Sequence, residues 1–238
     1  MKLSIIIPVY NEEKTVAQLL KKVFAVKLPV EKKEIIIVND GSIDGTALAL
    51  AKIQSKHKDV KIIHHKINQG KGAAVRTGIK KATCEYIIIQ DADLEYDPVD
   101  ITKLIRPVLA GKATVVYGTR LNRLPNFSRD ERSARFFLHY MGNKMLSLTT
   151  SILYMNWLTD MECCYKLFPK KALNGVTLRA RGFELEPEIT AKLLKKGYKI
   201  AEVPISTNPR GYNEGKKLDT IQDGTKAIWA LVKYRFIN

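Results

Sequence analysis

The chain of 238 residues is long enough for one α/β domain with a sizeable core, and its 45% hydrophobic and 27% charged residues are ordinary for a globular protein. No run reaches the roughly 18 consecutive apolar residues of a membrane span. The apolar part of the N-terminus, which Pro8 ends, is too short for a signal peptide. These features argue against an integral membrane protein, so we expect a cytoplasmic one that is soluble or peripheral.

Basic residues dominate the charge, because 40 Lys and Arg side chains against 24 Asp and Glu side chains give a formal net charge of +16. Such an excess indicates an anionic partner: a nucleic acid, an anionic lipid surface or a phosphorylated substrate. A Lys-rich solvated surface is the alternative. The three cysteines, Cys84, Cys163 and Cys164, lack metal-binding spacing, and their odd number argues against a disulfide framework, which favours an intracellular protein.

Strands and helices are predicted to alternate through the first half of the chain. In chain order we predict a strand over Leu3–Pro8, a helix over Glu12–Ala25, a strand over Glu34–Val38, a helix over Asp44–Lys56, a strand over Val60–His64, a helix over Lys71–Ala82, a strand over Tyr86–Gln90, a helix over Pro98–Ala110 and a strand over Ala113–Tyr117. This alternation predicts an α/β fold with a mostly parallel sheet covered on both faces.

The pattern changes in the second half. There we predict a long helix over Arg129–Tyr154, a short strand over Cys164–Phe168, a helix over Glu184–Lys196, a strand over Lys199–Ile205, a basic loop over Asn208–Lys217 and a last helix over Leu218–Phe236. We treat residues 1–238 as one domain whose C-terminal part is a helical elaboration of the sheet.

Three acidic side chains follow the strand-like run Ile87–Ile89 at every second position: Asp91, Asp93 and Glu95. If the backbone stays extended, alternation points them roughly to one side. Three carboxylates repel one another unless a cation lies between them, and oxygen ligands suit Mg²⁺ or Mn²⁺. A solvated acidic turn after a strand is the alternative.

Polar clusters follow four of the predicted strands. They are Tyr10–Glu12, Asp40–Ser42, Asp91–Glu95 and Gly118–Arg120. Ligands of parallel α/β sheets bind at the carboxyl ends of the strands. This convergence therefore predicts a ligand site at that edge of the sheet.

These clusters carry a resemblance to the family 2 glycosyltransferases of GT-A fold, and within them to the polyprenyl-phosphate sugar synthases such as dolichyl-phosphate mannose and glucose synthases. The matching segments are Pro8–Glu12, Val38–Ser42, Asn68–Gly72, Asp91–Asp93, Gly118–Arg120, Thr159–Lys166, Glu202–Ile205 and Arg210–Lys217. Cys164 and Tyr165 depart from the Gly and Phe that are usual in the family.

The resemblance implies an inverting, metal-dependent hexosyltransferase that moves a sugar from a UDP- or GDP-linked donor to a polyprenyl phosphate. Pro8, Tyr10, Glu12 and Asp40 would line the nucleoside pocket, and Lys71 would contact the nucleotide. Asp91 and Asp93 would serve the nucleotide and its metal, with Glu95 as a third metal ligand. Residues 1–120 would form the nucleotide-sugar half and residues 121–238 the acceptor half.

The phosphate group of a lipid acceptor has a second pKa of about 6, so it is already ionised near neutral pH. It therefore needs cationic side chains to bind it rather than a strong base. We predict Arg120, Arg132, Arg210 and Lys216 as its contacts, although Lys217 competes with Lys216 for the family position. Asp160 is predicted to orient Lys166 or the arginines, or to act as a base if the acceptor is a sugar hydroxyl.

A polyprenyl phosphate lies in a bilayer, so we expect docking on an anionic membrane surface through residues 136–155 and the last helix, or the help of a membrane-anchored partner. The alternative is ordinary packing of both helices on the sheet. Transfer to a glycan or small hydroxyl acceptor is the second hypothesis. Two further alternatives are a nucleic-acid-binding protein and a non-catalytic nucleotide-sugar binder. The sequence lacks the alternation of aromatic and basic residues that is typical of RNA-binding proteins.

Overall fold

A computed structural model describes residues 1–120, 134–208 and 220–237. Its seven-stranded sheet has the order β3-β2-β1-β4-β6-β5-β7. The strands are β1 (Lys2–Val9), β2 (Lys32–Asn39), β3 (Lys61–His64), β4 (Tyr86–Ile89), β5 (Val115–Thr119), β6 (Lys166–Pro169) and β7 (Ile200–Pro204). The helices are α1 (Val16–Ala25), α2 (Thr46–Lys56), α3 (Lys71–Lys81), α4 (Ile101–Leu109), α5 (Ala134–Tyr154), α6 (Leu185–Lys195) and α7 (Thr220–Phe236).

The sheet is mostly parallel, as predicted. Strand β1 pairs in parallel with β2 and β4, β2 with β3, and β5 with β7. Strand β6 is the exception, because it runs antiparallel between β4 and β5. The carboxyl ends of the parallel strands therefore share one edge with the start of β6.

Two element boundaries differ from the predictions for local reasons. Helix α1 begins at Val16 rather than Glu12, because the Glu12 backbone N–H donates to the Thr46 hydroxyl instead of entering a helix. The helix expected from Pro98 begins with a 3₁₀ turn, which the Asp97 side chain caps by accepting from the Val99 backbone N–H. Both differences follow from side chains that bind backbone groups near a helix start.

The core lies on both faces of the central strands. Isoleucines of β1, β2 and β4 are almost fully buried, which explains why those strands read as continuous apolar runs rather than alternating ones. Helix α1 packs its predicted face, Val16, Leu19, Leu20 and Val23, onto this sheet. No helix in the described ranges is both long enough and apolar enough to cross a membrane.

One buried carboxylate joins the amino-terminal ends of three strands. Glu34 of β2 accepts hydrogen bonds from the Ser4 hydroxyl, from the Thr83 backbone and hydroxyl, and from Lys61, whose ammonium lies 2.6 Å away. Burial alone would raise the pKa of Glu34, but these donors lower it to about 2. The charged carboxylate is thus part of the folded structure.

Glu34→Gln is expected to lower the free energy of unfolding by about 3 kcal/mol at pH 7, the equivalent of a pKa lowered from 4.5 to about 2. A lowered pKa stabilises the folded state above its unfolded value. The difference between the two proteins should therefore shrink as the pH falls from about 5 towards 2. Urea unfolding across this range measures it, with the exposed Glu85→Gln as control. A difference that is constant with pH would contradict this role for the Glu34 carboxylate.

Candidate active site

A cavity of about 510 Å³ lies at the carboxyl edge of the sheet. Its walls include nine residues predicted from the sequence: Pro8, Tyr10, Glu12, Asp40, Lys71, Asp91, Asp93, Glu95 and Arg120. They come from the carboxyl end of β1, from the segments after β1, β2, β4 and β5, and from the start of α3. The structure thus brings together in one cavity the clusters that the sequence placed at strand ends.

Asp40, predicted to contact the base or ribose, is held by protein groups. It accepts from the ring N–H of His65 at 2.6 Å and from the backbone N–H groups of Gln69 and Gly70. The second ring nitrogen of His65 lies 3.0 Å from the Thr77 hydroxyl. Asp40 therefore orders the loop that leads to Lys71, and His65 fixes the position of its carboxylate.

The acidic segment turns instead of staying extended, so the predicted alternation is wrong. Leu94 adopts a left-handed φ of 64°, and Asp93 accepts from the Glu95 backbone N–H at 3.1 Å. All three carboxylates still line the cavity. Within the described ranges, however, no three His, Cys, Asp or Glu side chains form a group that could hold a metal ion.

Lys71 places a positive charge beside the acidic segment. Its ammonium lies 2.8 Å from Asp91 Oδ1 and 3.6 Å from Glu186 Oε1. Burial alone would lower the pKa of Lys71, but the charges of Asp91 and Glu186 hold it well above its usual value. The site therefore contains a permanent cation at the position where a diphosphate is predicted.

Glycines bring Lys71 to this position. Gly70 has a φ of 94°, and a Cβ atom there would lie 2.3 Å from the Arg181 carbonyl oxygen. At Gly72 it would lie 2.7 Å from the Ala180 carbonyl oxygen. The predicted Gly70–Gly72 segment therefore begins helix α3 and packs closely against the loop before α6.

The acidic donor set suits Mg²⁺ or Mn²⁺ chemically, because all three side chains offer carboxylate oxygens. Mg²⁺ usually binds one or two carboxylates and completes its shell with water and substrate phosphates. A site with one or two carboxylate ligands fits the turned backbone better than the predicted site with three. Asp91 and Asp93 line the cavity and would hold such an ion together with a diphosphate.

Arg120 and Asp160 form a buried ion pair at the end of β5. Asp160 accepts from the Arg120 backbone N–H and from Nε and Nη2 of its guanidinium at 2.7–2.8 Å, while Nη1 donates to the Tyr96 hydroxyl at 3.0 Å. Burial alone would raise the pKa of Asp160, but Arg120 lowers it below its usual value. An acid held in this way orients an arginine, and it is a poor general base.

Two further acids of the cavity differ in their partners. Glu186 pairs with Lys166 at 2.7 Å as well as with Lys71. Glu162 has a buried Oε1 atom that accepts no hydrogen bond from the described residues. Burial raises the pKa of Glu162 to about 7, although the nearby Lys166 acts in the opposite direction. Glu162 is thus an acid that is readily protonated near neutral pH.

Three predicted acceptor contacts, Arg132, Arg210 and Lys216, lie outside the described residues. Sequence reasoning gave no role to His65 or Glu162. The signal available for Glu162 was its position as an acidic residue in the segment that joins Asp160 to Lys166. His65 has no such local signal, because its contact with Asp40 spans 25 residues.

The fold and cavity together define a nucleotide-sugar transferase of the GT-A class, as predicted. The profile of glycosyl transferase family 2 matches residues 4–176. The chain therefore belongs to this family, and its prediction as a glycosyltransferase is confirmed.

Relatives and solved structures agree with this assignment. The chain is 31% identical to the UDP-N-acetylglucosamine–dolichyl-phosphate N-acetylglucosaminyltransferase of Methanococcus voltae, over 85% of this chain and 84% of that protein. It is 28% identical to a dolichyl-phosphate beta-glucosyltransferase of Trichomonas vaginalis, over 97% of this chain and 71% of the relative. The fold resembles glucosyl-3-phosphoglycerate synthase from Mycobacterium tuberculosis, solved with Mn²⁺ and UDP, with a TM-score of 0.71, 18% identity and coverage of 100% and 81% of the two chains.

Asp160→Asn is expected to lower the free energy of unfolding by about 3 kcal/mol, because it leaves the Arg120 guanidinium without its buried counter-charge. Chemical denaturation measures the change. Asp59→Asn, at an exposed position, is the matched control and should change stability by less than about 0.5 kcal/mol. Equal stability of both variants would show that the ion pair does not hold this part of the site.

Proposed function

We propose that the protein transfers a hexose from a nucleotide-diphosphate sugar to a polyprenyl phosphate of the dolichyl type, at a membrane surface and with Mg²⁺ or Mn²⁺. One observation carries this proposal. The cavity that contains the acidic segment and Arg120 also has apolar walls from α5 and α7, through Met145, Leu146 and Ile228. A lipid with a phosphate head needs both kinds of wall.

The donor would lie along the segments after β1, β2 and β4. Pro8, Tyr10, Glu12 and Asp40 line the end of the cavity assigned to the nucleoside. A divalent ion bound with Asp91 and Asp93 would supply positive charge to the leaving diphosphate. Lys71, already charged and 2.8 Å from Asp91, adds a second cation at the same place. The names of the M. voltae and T. vaginalis relatives support a dolichyl-phosphate acceptor, and the first supports a UDP-linked donor.

The acceptor phosphate would be bound by Arg120. Asp160 and Tyr96 orient the guanidinium, and their contacts use three of its five N–H donors. A phosphate monoester is already ionised near neutral pH, so its oxygen can attack the anomeric carbon without a base. Direct displacement inverts that centre, so an α-linked donor gives a β-linked product. We retain Arg132, Arg210 and Lys216 as further proposed phosphate contacts.

Two neighbouring helices offer a surface for the bilayer. Exposed apolar side chains recur every three or four residues along α5: Phe137, Met141, Met145, Leu148 and Ile152. Helix α7 adds Trp229, Val232 and Phe236, and it contacts α5 through a hydrogen bond from the Tyr154 hydroxyl to the Leu231 carbonyl oxygen. We call these eight residues the apolar face.

Charge and position favour an anionic bilayer as the occupant of the apolar face. Lys144, Lys233 and Arg235 lie on the same two helices, and each basic residue near an anionic leaflet contributes about 1 kcal/mol of binding. Met145 belongs to both the apolar face and the cavity wall, so a lipid phosphate at the membrane would reach Arg120 directly. We assign residues 1–120, apart from the acceptor contact Arg120, mainly to the nucleotide sugar, and residues 121–238 mainly to the acceptor and the membrane.

Transfer to a sugar or small-molecule hydroxyl remains a second candidate, because Glu162 has a pKa raised to about 7 and could accept a hydroxyl proton. Such an acceptor would need neither the apolar walls nor the apolar face.

The reaction is tested with labelled UDP-glucose, UDP-N-acetylglucosamine and GDP-mannose, each with Mn²⁺ and with or without a short-chain polyprenyl phosphate. Label should enter the organic phase with at least one donor, and only when the prenyl phosphate is present. Asp93→Asn should reduce this transfer at least about a hundredfold, because charge stabilisation of the diphosphate is weakened. The nearby, half-exposed Asp97→Asn is the matched control. Transfer to water-soluble alcohols alone would support the second candidate instead.

Membrane docking is tested by co-sedimentation with vesicles of phosphatidylcholine, with and without phosphatidylglycerol. The double variant Met145→Ser/Trp229→Ser is expected to bind anionic vesicles about tenfold more weakly or worse, since two exposed apolar side chains are lost. Ile43→Ser, which removes an exposed apolar side chain far along the chain from α5 and α7, is the control. A wild-type dimer in sedimentation that the double variant disrupts, without vesicle binding, would assign the apolar face to a second copy.

A further inference from the structure

Glu162 lines the cavity and has a buried oxygen atom without a partner among the described residues. This atom, Oε1, is inaccessible to solvent and accepts no hydrogen bond from the part of the chain that the structure describes. A buried acceptor without a donor destabilises the protein, because it has lost its hydrogen bonds to water. The oxygen atoms of Glu186, by contrast, lie within ion-pair distance of Lys71 and Lys166. Among the described residues, Glu162 Oε1 therefore has no hydrogen-bond donor that would explain it as a structural residue.

Along the chain, Glu162 lies between two residues that contact the two charged ends of the proposed reaction. Two residues before it, Asp160 holds Arg120 at the proposed acceptor end. Two residues after it, the thiol of Cys164 interacts with Asp91 at the diphosphate end. All three of Arg120, Glu162 and Cys164 line the cavity.

In the proposed reaction, the transferred sugar would lie between these two ends. In an inverting displacement the leaving diphosphate and the attacking oxygen lie on opposite sides of the anomeric carbon. The sugar ring therefore lies between the group that holds the diphosphate and the group that holds the acceptor. Its hydroxyl groups are the hydrogen-bond donors that such a substrate would bring.

We infer that Glu162 is a sugar-binding residue whose carboxylate accepts a hydrogen bond from a hydroxyl group of the hexose being transferred. This inference rests on the nucleotide-sugar donor of the proposed function and does not depend on the acceptor. It makes Glu162 a determinant of donor choice. A site built to bind a hydroxyl group discriminates strongly against analogues that lack it, because its own polar atom is then left unpaired.

The test compares wild-type protein with Glu162→Ala and Glu162→Gln by calorimetric titration in the presence of Mn²⁺ and without any acceptor. The probes are UDP-glucose, UDP-N-acetylglucosamine and GDP-mannose, and their sugar-free counterparts UDP and GDP. Glu162→Ala should weaken binding of the sugar-bearing ligand that the wild type prefers by roughly tenfold to hundredfold, because a hydroxyl group of the sugar loses its buried hydrogen-bond acceptor. Affinity for the matching free nucleotide should stay unchanged, which also shows that the variant is folded.

Glu162→Gln, which keeps an oxygen acceptor of the same size, should retain more of the sugar-dependent affinity than Glu162→Ala. The surface variant Glu85→Gln is the control. A second series with deoxy forms of the preferred sugar identifies the hydroxyl group. Its removal should weaken binding to the wild type and leave binding to Glu162→Ala unaffected.

Several outcomes would overturn the inference. One is equal loss of affinity for the nucleotide sugar and the free nucleotide. Another is unchanged binding of the nucleotide sugar with loss of turnover, which would make Glu162 a base for a hydroxyl acceptor. If the wild type binds none of the three nucleotide sugars, the proposed function and this inference are both overturned. Donor binding without prenyl transfer would overturn the lipid acceptor alone.

Discussion

The ammonium group of Lys71 lies between the carboxylates of Asp91 and Glu186, and Glu186 in turn pairs with Lys166. This row of alternating charges connects the start of α3, the end of β4, the first turn of α6 and the first residue of β6. Removing one member would leave a buried charge without compensation, which is costly in a poorly solvated site. These ion pairs therefore determine where in the cavity a charged group of a ligand can bind.

In the proposed reaction, a substrate diphosphate would change this balance. It would bring negative charge to Lys71, while a divalent ion would bring positive charge to Asp91. Each would take over one partner of the existing contact between Lys71 and Asp91, so we expect donor and metal to bind with mutual support. Glu186 keeps Lys166 as a partner during this exchange. In the absence of donor and metal, the contact between Lys71 and Asp91 thus balances the charges that these ligands would balance when bound.

Much of the fold followed from sequence because its signals are local. Isoleucine runs gave the central strands, and the four buried positions of α1 gave its face. Seven of the nine cavity residues belong to polar clusters at strand ends, and parallel strands end at one edge of the sheet. The other two, Pro8 and Lys71, came from the family resemblance. The antiparallel direction of β6 and its place between β4 and β5 have no local signal. The acidic spacing suggested an extended segment, yet Leu94 and the hydrogen bond to Asp93 turn it.

The position of β6 has a consequence for how the sheet is assembled. The described part of β5 finds its ladder partners in β6 and β7, both supplied by residues beyond 165. A fragment ending near residue 120 would leave β4 and β5 with open hydrogen-bonding edges, a state prone to self-association. Strands β6 and β7 therefore complete the hydrogen-bonding ladder of β5, at whose end Arg120 lines the cavity, so the edge of the sheet that bears the cavity needs strands from both halves of the chain.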